Sequence, residues 1–223
     1  MFFSAAFRVD PRHEKGGKYL FQSMSPRVRC HFITGTMYSF ASGRRPVDLR
    51  RLGVRGGGGN GGEGEGEAVL FSYGEIDVRC HVERLSSERE CDYAAVIRSL
   101  VEQYMNRIVG YLSEFGNDPP AAAVVLAIPP PSDRNENPRV PYYGKLSERV
   151  VISRLFNRLL EEACGARRNP NVHFFHPFAG FTGEDGSLDH NYSDGHIHIR
   201  SQCCRPIHHQ LTALLERIKQ QRQ

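Results

Sequence analysis

The sequence predicts a three-layer α/β domain, a parallel β-sheet with helices covering both faces. Short apolar, β-prone runs recur along the chain: RVRCHFIT at 27–34, AVLFSY at 68–73, AAAVVLAI at 121–128 and NVHFF at 171–175. Segments whose apolar residues recur every three or four positions separate and follow the later runs, the signature of amphipathic helices. The first two runs close on Gly35 and Gly74, and the third on Pro129, Pro130 and Pro131, residues that turn a chain out of a buried ladder.

Taken in order, Met1 to Phe7 is apolar but too short for a signal peptide, and Arg8, Asp10, Arg12 and His13 follow at once. The runs 27–34 and 68–73 read as buried strands. Between them lies GGGGNGGEGEGE, 56–67, which lacks the Gly-Lys-Ser/Thr ending of a phosphate-gripping loop and reads as a flexible surface insertion. Ser87 and Glu90 have capping-box spacing ahead of Val96, Leu100, Val101, Tyr104, Ile108, Tyr111 and Leu112, which predicts a long helix. The strand at 121–128 is followed by a polar, proline-punctuated loop to Tyr143. Ile152, Leu155, Phe156, Leu159, Leu160 and Ala163 predict a second crossover helix, with Gly165 placed to cap its end. The run 171–175 is a further strand, and Ile207, Leu211, Leu214, Leu215 and Ile218 mark a C-terminal helix.

The totals agree with one domain spanning 1–223. Hydrophobic residues make up 39% and charged residues 24%, an ordinary globular balance, and no apolar run is long enough to span a bilayer. Lys and Arg exceed Asp and Glu by four and are scattered, so neither a nucleic-acid partner nor a membrane is expected. The six cysteines form no CxxC pair, and with no export signal visible the expected location is intracellular, in the cytoplasm, with reduced thiols. Oligomeric state is not legible.

In a parallel sheet of this kind ligands sit beyond the carboxyl ends of the strands, where the loops converge. That places Gly35, Thr36 and Met37, then Gly74, Glu75, Asp77, Arg79 and His81, at the expected edge. Asp189, His190, Asp194, His196 and His198 form the densest cluster of titratable groups, on a segment able to reach the same edge. An Asp beside a His can orient the imidazole as a general base, and the same residues can equally be a solvated polar loop. Glu75 and Arg79 can bind a ligand or simply brace each other. His196 and His198 form an HxH pair able to face one side of a strand, but no third ligand stands at familiar spacing, so no metal and no cofactor is expected.

CHFITGTMYSF, FSYGEIDVRCHV, the strand ending in IPPP, the VVISRLFNRLL helix and SDGHIHI follow one another in an order that resembles SGNH/GDSL hydrolase-like proteins carrying a GEID motif. The likeness covers roughly residues 27–200, and GEIDxRxH after an apolar strand is its most specific part. It implies a flavodoxin-like sheet and ester hydrolysis by a Ser-His-Asp set, often on acylated sugars. The Gly-Asp-Ser block of that superfamily falls on Gly35-Thr36-Met37, so the nucleophile position holds a thioether, which cannot be deprotonated to attack an ester. The Gly-x-Asn-Asp block falls on Gly74 to Asp77, where Ile76 offers no side-chain donor to an oxyanion. Asp194 stands two residues before His196 and four before His198, so the resemblance leaves the base open between them. The expected function is a catalytically degenerate protein whose Gly35, Thr36, Met37, Gly74, Glu75, Asp77, Arg79 and His81 line a pocket for a glycan or other small molecule, or whose fold serves a protein assembly. An active acyl hydrolase using Asp194 with His196 or His198, and a metal-dependent hydrolase using the HxH pair, are the alternatives.

Overall fold

A computed structural model describes residues 7–9, 19–23, 29–32, 36–44, 47–50, 54, 67–116, 120, 122–133, 142–166, 170–195, 199–200 and 203–221. Two three-stranded sheets organise them. The first is an antiparallel meander of β1 (Phe7–Val9), β2 (Tyr19–Ser23) and β3 (Arg29–Phe32), with Phe7 opposite Ser23 and Tyr19 opposite Phe32. The run 27–34 thus forms a strand as its composition predicts, but with a different neighbour. It pairs antiparallel with β2, six positions upstream, instead of joining the parallel sheet, because antiparallel pairing needs only a short connection.

A short helix, α1 (Met37–Ala41), precedes the second sheet, which is parallel, in the order β4 (Ala68–Phe71), β5 (Ala122–Leu126), β6 (Val172–Phe175). After β4 the chain turns at Gly74 directly into a helix, which passes through a wide π turn at Asp77–His81 and continues as α2 (Val82–Glu88). Then come α3 (Tyr93–Ser113) before β5, α4 (Leu146–Ala166) before β6, and α5 (Cys204–Gln220) at the end. None of these helices is long and apolar enough to cross a membrane.

All five residues of β5 are buried, and their alternation sorts the helices into layers. Ala123 and Val125 pack in one cluster with Phe40 of α1, Tyr104 and Ile108 of α3, and Phe156 and Leu160 of α4. Ala122, Val124 and Leu126 pack in another, with Ile207, Leu211 and Ile218 of α5. The expected helix-sheet-helix layering is therefore present. α3 and α4 share a face because β4, β5 and β6 succeed one another in the same direction across the sheet, and right-handed crossovers then return on the same side.

Two helix limits differ from expectation. The cap of α3 is Asp92, whose carboxylate accepts from the Ala94 N–H at 3.1 Å, while Ser87 lies in the last turn of α2. The chain breaks between the two helices at Glu90, with φ +50°, so a box beginning at Ser87 could not run into α3. Gly165 lies inside the final turn of α4 and does not follow it. The stretch 56–67, apart from Glu67, lies outside the described residues.

Where β5 ends, Asn157 of α4 replaces the missing ladder: its side chain accepts from the Ile128 N–H at 2.7 Å and donates to the Ile128 C=O at 2.9 Å. This fixes the start of the proline segment. Phe40 anchors α1, its ring lying 5.9 Å from Phe71, 4.8 Å from Tyr73 and 5.4 Å from Tyr104. Phe156→Ala is expected to lower unfolding free energy by about 3–5 kcal/mol, the usual penalty for emptying a filled aromatic site. Val151→Ser, on the exposed side of the same helix, should stay within about 0.5 kcal/mol. Denaturant midpoints of the two variants check this.

Candidate binding site at the carboxyl edge of the sheet

The parallel register puts the ends of β4 and β5 on one edge, and the residues after them meet there. Gly74 has φ +111°, and a Cβ at this position would lie 2.5 Å from Ile128 Cδ1 and 3.2 Å from Met37 Cε. Only glycine allows the three segments to close this tightly.

Asp77 joins them. Its side chain is completely buried, and its carboxylate accepts from the Met37 N–H at 2.6 Å and the Tyr38 N–H at 3.3 Å. These are N–H groups of the first turn of α1, which no partner within the helix can satisfy. Burial raises the Asp77 carboxyl to about 6, against the lowering effect of those two N–H donors and with a smaller rise from Glu75. At neutral pH, above this value, it is ionised, and each of its oxygens accepts one of the two N–H groups.

Thr36 and Ser39 complete the cap. The Thr36 hydroxyl accepts from the Ser39 N–H at 2.9 Å, and Ser39 Oγ accepts from the Thr36 N–H at 3.0 Å while donating to the Thr36 C=O at 2.9 Å. Met37 is completely buried, its side chain in the core beside Gly74. Position 37 contributes a backbone N–H to Asp77 and an apolar side chain to the interior.

The motif after β4 is helical and not a loop. That places Glu75 and Arg79 one turn apart, where the Arg79 Nε donates to the Glu75 carboxylate at 2.7 Å. Arg79 is 9% exposed, and its C=O accepts from the Tyr143 N–H at 2.8 Å. His81, at the end of the π turn, lies with its Nδ1 3.3 Å from the Arg84 guanidinium; burial foremost, and the positive charge of Arg84 and Arg79 next, hold it below the ordinary histidine range. A cleft opens beside Glu75, Val78 and Arg79, and Ile128 to Ser132 and Arg149 form its other wall.

Arg149 has no counterpart among the expected site residues. It lies on the buried stripe of α4 with Ile152, Phe156 and Leu160 and is 1% exposed. An arginine in register with an apolar stripe was the available signal, and the helical periodicity hid it because such a position normally reads as the end of the stripe.

The segment 176–195 is tied to the same edge through the Leu188 N–H, which donates to the Pro131 C=O at 2.9 Å. On it, Asp189 accepts from the Asn191 N–H at 2.8 Å and so builds a turn, and Asp194 is exposed beyond the buried Ser193. Gly35, His196 and His198 lie outside the described residues. The structure thus brings Thr36, Met37, Gly74 and Asp77 together, with Glu75 and Arg79 on the adjoining cleft. Among the described residues no group of three His, Cys, Asp or Glu side chains is arranged to hold a metal.

No family model matches this chain, and no curated protein matches it. A solved structure provisionally described as a platelet activating factor from Streptococcus pneumonia is similar over 70% of this chain, with 15% identity and a TM-score of 0.49. The match spans 61% of the length of that structure.

Asp77 also gives the fold a pH dependence. An unfolded aspartate titrates near 3.8 and the folded one near 6, so between these values the folded chain holds the proton more tightly. The stabilisation is present in full below about pH 4 and is lost as pH rises through about 6. At about 1.36 kcal/mol per unit, the loss is on the order of 3 kcal/mol. The stability difference between the native protein and Asp77→Asn should shift by that order between pH 4 and 7, measured by denaturant unfolding. A difference independent of pH would show that this carboxyl titrates normally.

Proposed function

We propose that this chain is a catalytically silent protein of the SGNH/GDSL hydrolase-like type that keeps the carboxyl edge of its sheet for binding. The three-layer α/β fold and the meeting of Met37 with Asp77 are in keeping with the block order of the sequence. One observation carries the reading, the residue at the head of α1. By the resemblance this is the nucleophile position, and it holds a methionine whose side chain is buried in the core. A thioether has no proton to lose and no access to a substrate here.

The neighbouring hydroxyls are the natural substitutes, and both are engaged. Thr36 and Ser39 cap α1 reciprocally, so activating either one would require breaking the cap. Ile76 supplies no oxyanion donor from its side chain, and a single missing donor of that kind typically reduces turnover about 10² to 10³-fold. Glu75, Arg79 and Arg149 retain polar groups suited to recognition along the adjoining cleft. The ligand they serve is a small molecule such as a glycan, or a protein partner.

Purified protein is expected to hydrolyse a simple acyl ester no faster than buffer. Thr36→Ala and Ser39→Ala should leave that background unchanged and each lower stability by about 0.5–2 kcal/mol through loss of the cap. Turnover in the native chain that Thr36→Ala abolishes would replace this reading with an enzyme whose nucleophile has moved by one residue.

A further inference from the structure

We propose that Arg149 is the anion receptor of the cleft, and that the ligand presents to it a terminal oxyanion, a carboxylate or a phosphoryl group. This rests on the binding role argued above and names the ligand class for it.

Packing does not account for the residue. A guanidinium on the apolar stripe of α4, 1% exposed, carries a desolvation penalty that only paired charge and hydrogen bonds offset. Its observed partners fall short of that. One terminal nitrogen donates to the Ser132 C=O at 3.0 Å, and the other meets the Asp133 carboxylate at 3.2 Å. The Tyr142 ring centroid lies 4.7 Å away. Among the described residues the Nε is buried with no hydrogen-bond partner, a state that is unfavourable for a donor.

The Asp133 side chain is 62% exposed, so its pair with Arg149 is held on one side by solvent and is readily exchanged for another carboxylate or a phosphoryl oxygen. Across the cleft Arg79 already has its own partner in Glu75. Of the two arginines lining the cleft, Arg149 is thus the one whose guanidinium lacks a full set of described partners, and an oxyanion suits its planar fork of N–H groups better than any neutral acceptor.

The size of the cleft limits what enters. Its cavity volume is about 10 Å³, room for one oxygen-sized group. One terminal oxygen goes in, and the body of the ligand stays outside, near Tyr142 and Tyr143, which are 46% and 48% exposed.

The test is a titration of the full chain with sodium acetate and, separately, inorganic phosphate, with sodium chloride holding ionic strength constant. The readout is the Arg149 Nε–Hε resonance, assigned in the native chain by its through-bond connectivity to the Arg149 backbone. Saturable movement of this resonance is expected with at least one of the two anions, and the tighter one tells carboxylate from phosphoryl recognition. Asp133→Asn, which keeps an amide oxygen to accept from the guanidinium but removes the competing charge, is expected to tighten binding about two- to tenfold. Arg149→Lys, followed by calorimetry, should weaken it at least about tenfold, the equivalent of one hydrogen bond to a charged group. A resonance that follows neither anion to saturation, in both the native chain and Asp133→Asn, overturns the proposal even if Arg149→Lys fails to fold. That outcome leaves the absence of ester turnover untouched, and ester turnover would in turn leave oxyanion binding intact, so the two readings fail separately.

Discussion

A completely buried carboxylate holds the carboxyl edge of this sheet together. Asp77 bonds the first two N–H groups of α1, forty positions away for Met37, and so links the segment before the glycine-rich stretch to the segment after β4. α1 has five residues, too few to persist alone, because a single helical turn does not repay the entropy of forming it. Asp77 from one side and the Phe40 ring cluster from the other give it a fixed place. The dense contact of Gly74 with Met37 and Ile128 follows from the same closure.

The π turn at Asp77–His81 shows how one short motif serves two purposes. Its wider winding accompanies an arrangement in which Asp77 is buried against α1 while Glu75 and Arg79 pair along the cleft. Wide turns of this kind recur at functional sites because they re-aim side chains without ending the helix. On the facing wall the prolines after β5 cannot donate hydrogen bonds, so other segments reach in. Asn157 brackets Ile128, Leu188 donates to Pro131, and Arg149 donates to Ser132. The edge is thus rigid where its carbonyls are held and polar where its arginines stand.

Stability and chemistry compete for the same groups at the head of α1. Thr36 and Ser39 are the hydroxyls nearest position 37, and the fold uses them to satisfy backbone donors and acceptors at the start of the helix. A nucleophilic hydroxyl must instead be exposed and bonded to a base. A buried methionine between two capping hydroxyls is good helix construction, and it commits all three side chains at the head of α1 to the fold.

Much of the fold was legible because burial leaves a local imprint. The runs at 68–73, 121–128 and 171–175 are strands, and the three- and four-residue spacing after them marks α3, α4 and α5, since both patterns follow from backbone geometry within a few residues. The GEID motif and its place after an apolar strand were equally local. What lay beyond the sequence was every choice of partner. β3 joins an antiparallel meander, Asp92 and not Ser87 caps α3, Met37 turns into the core, and Arg149 lines the cleft. Composition and periodicity state that a residue is buried or paired, and only long-range packing decides against what. That is why the sequence alone determined the layers and the edge on which its motifs fall, while the tertiary structure decided which side chains meet there.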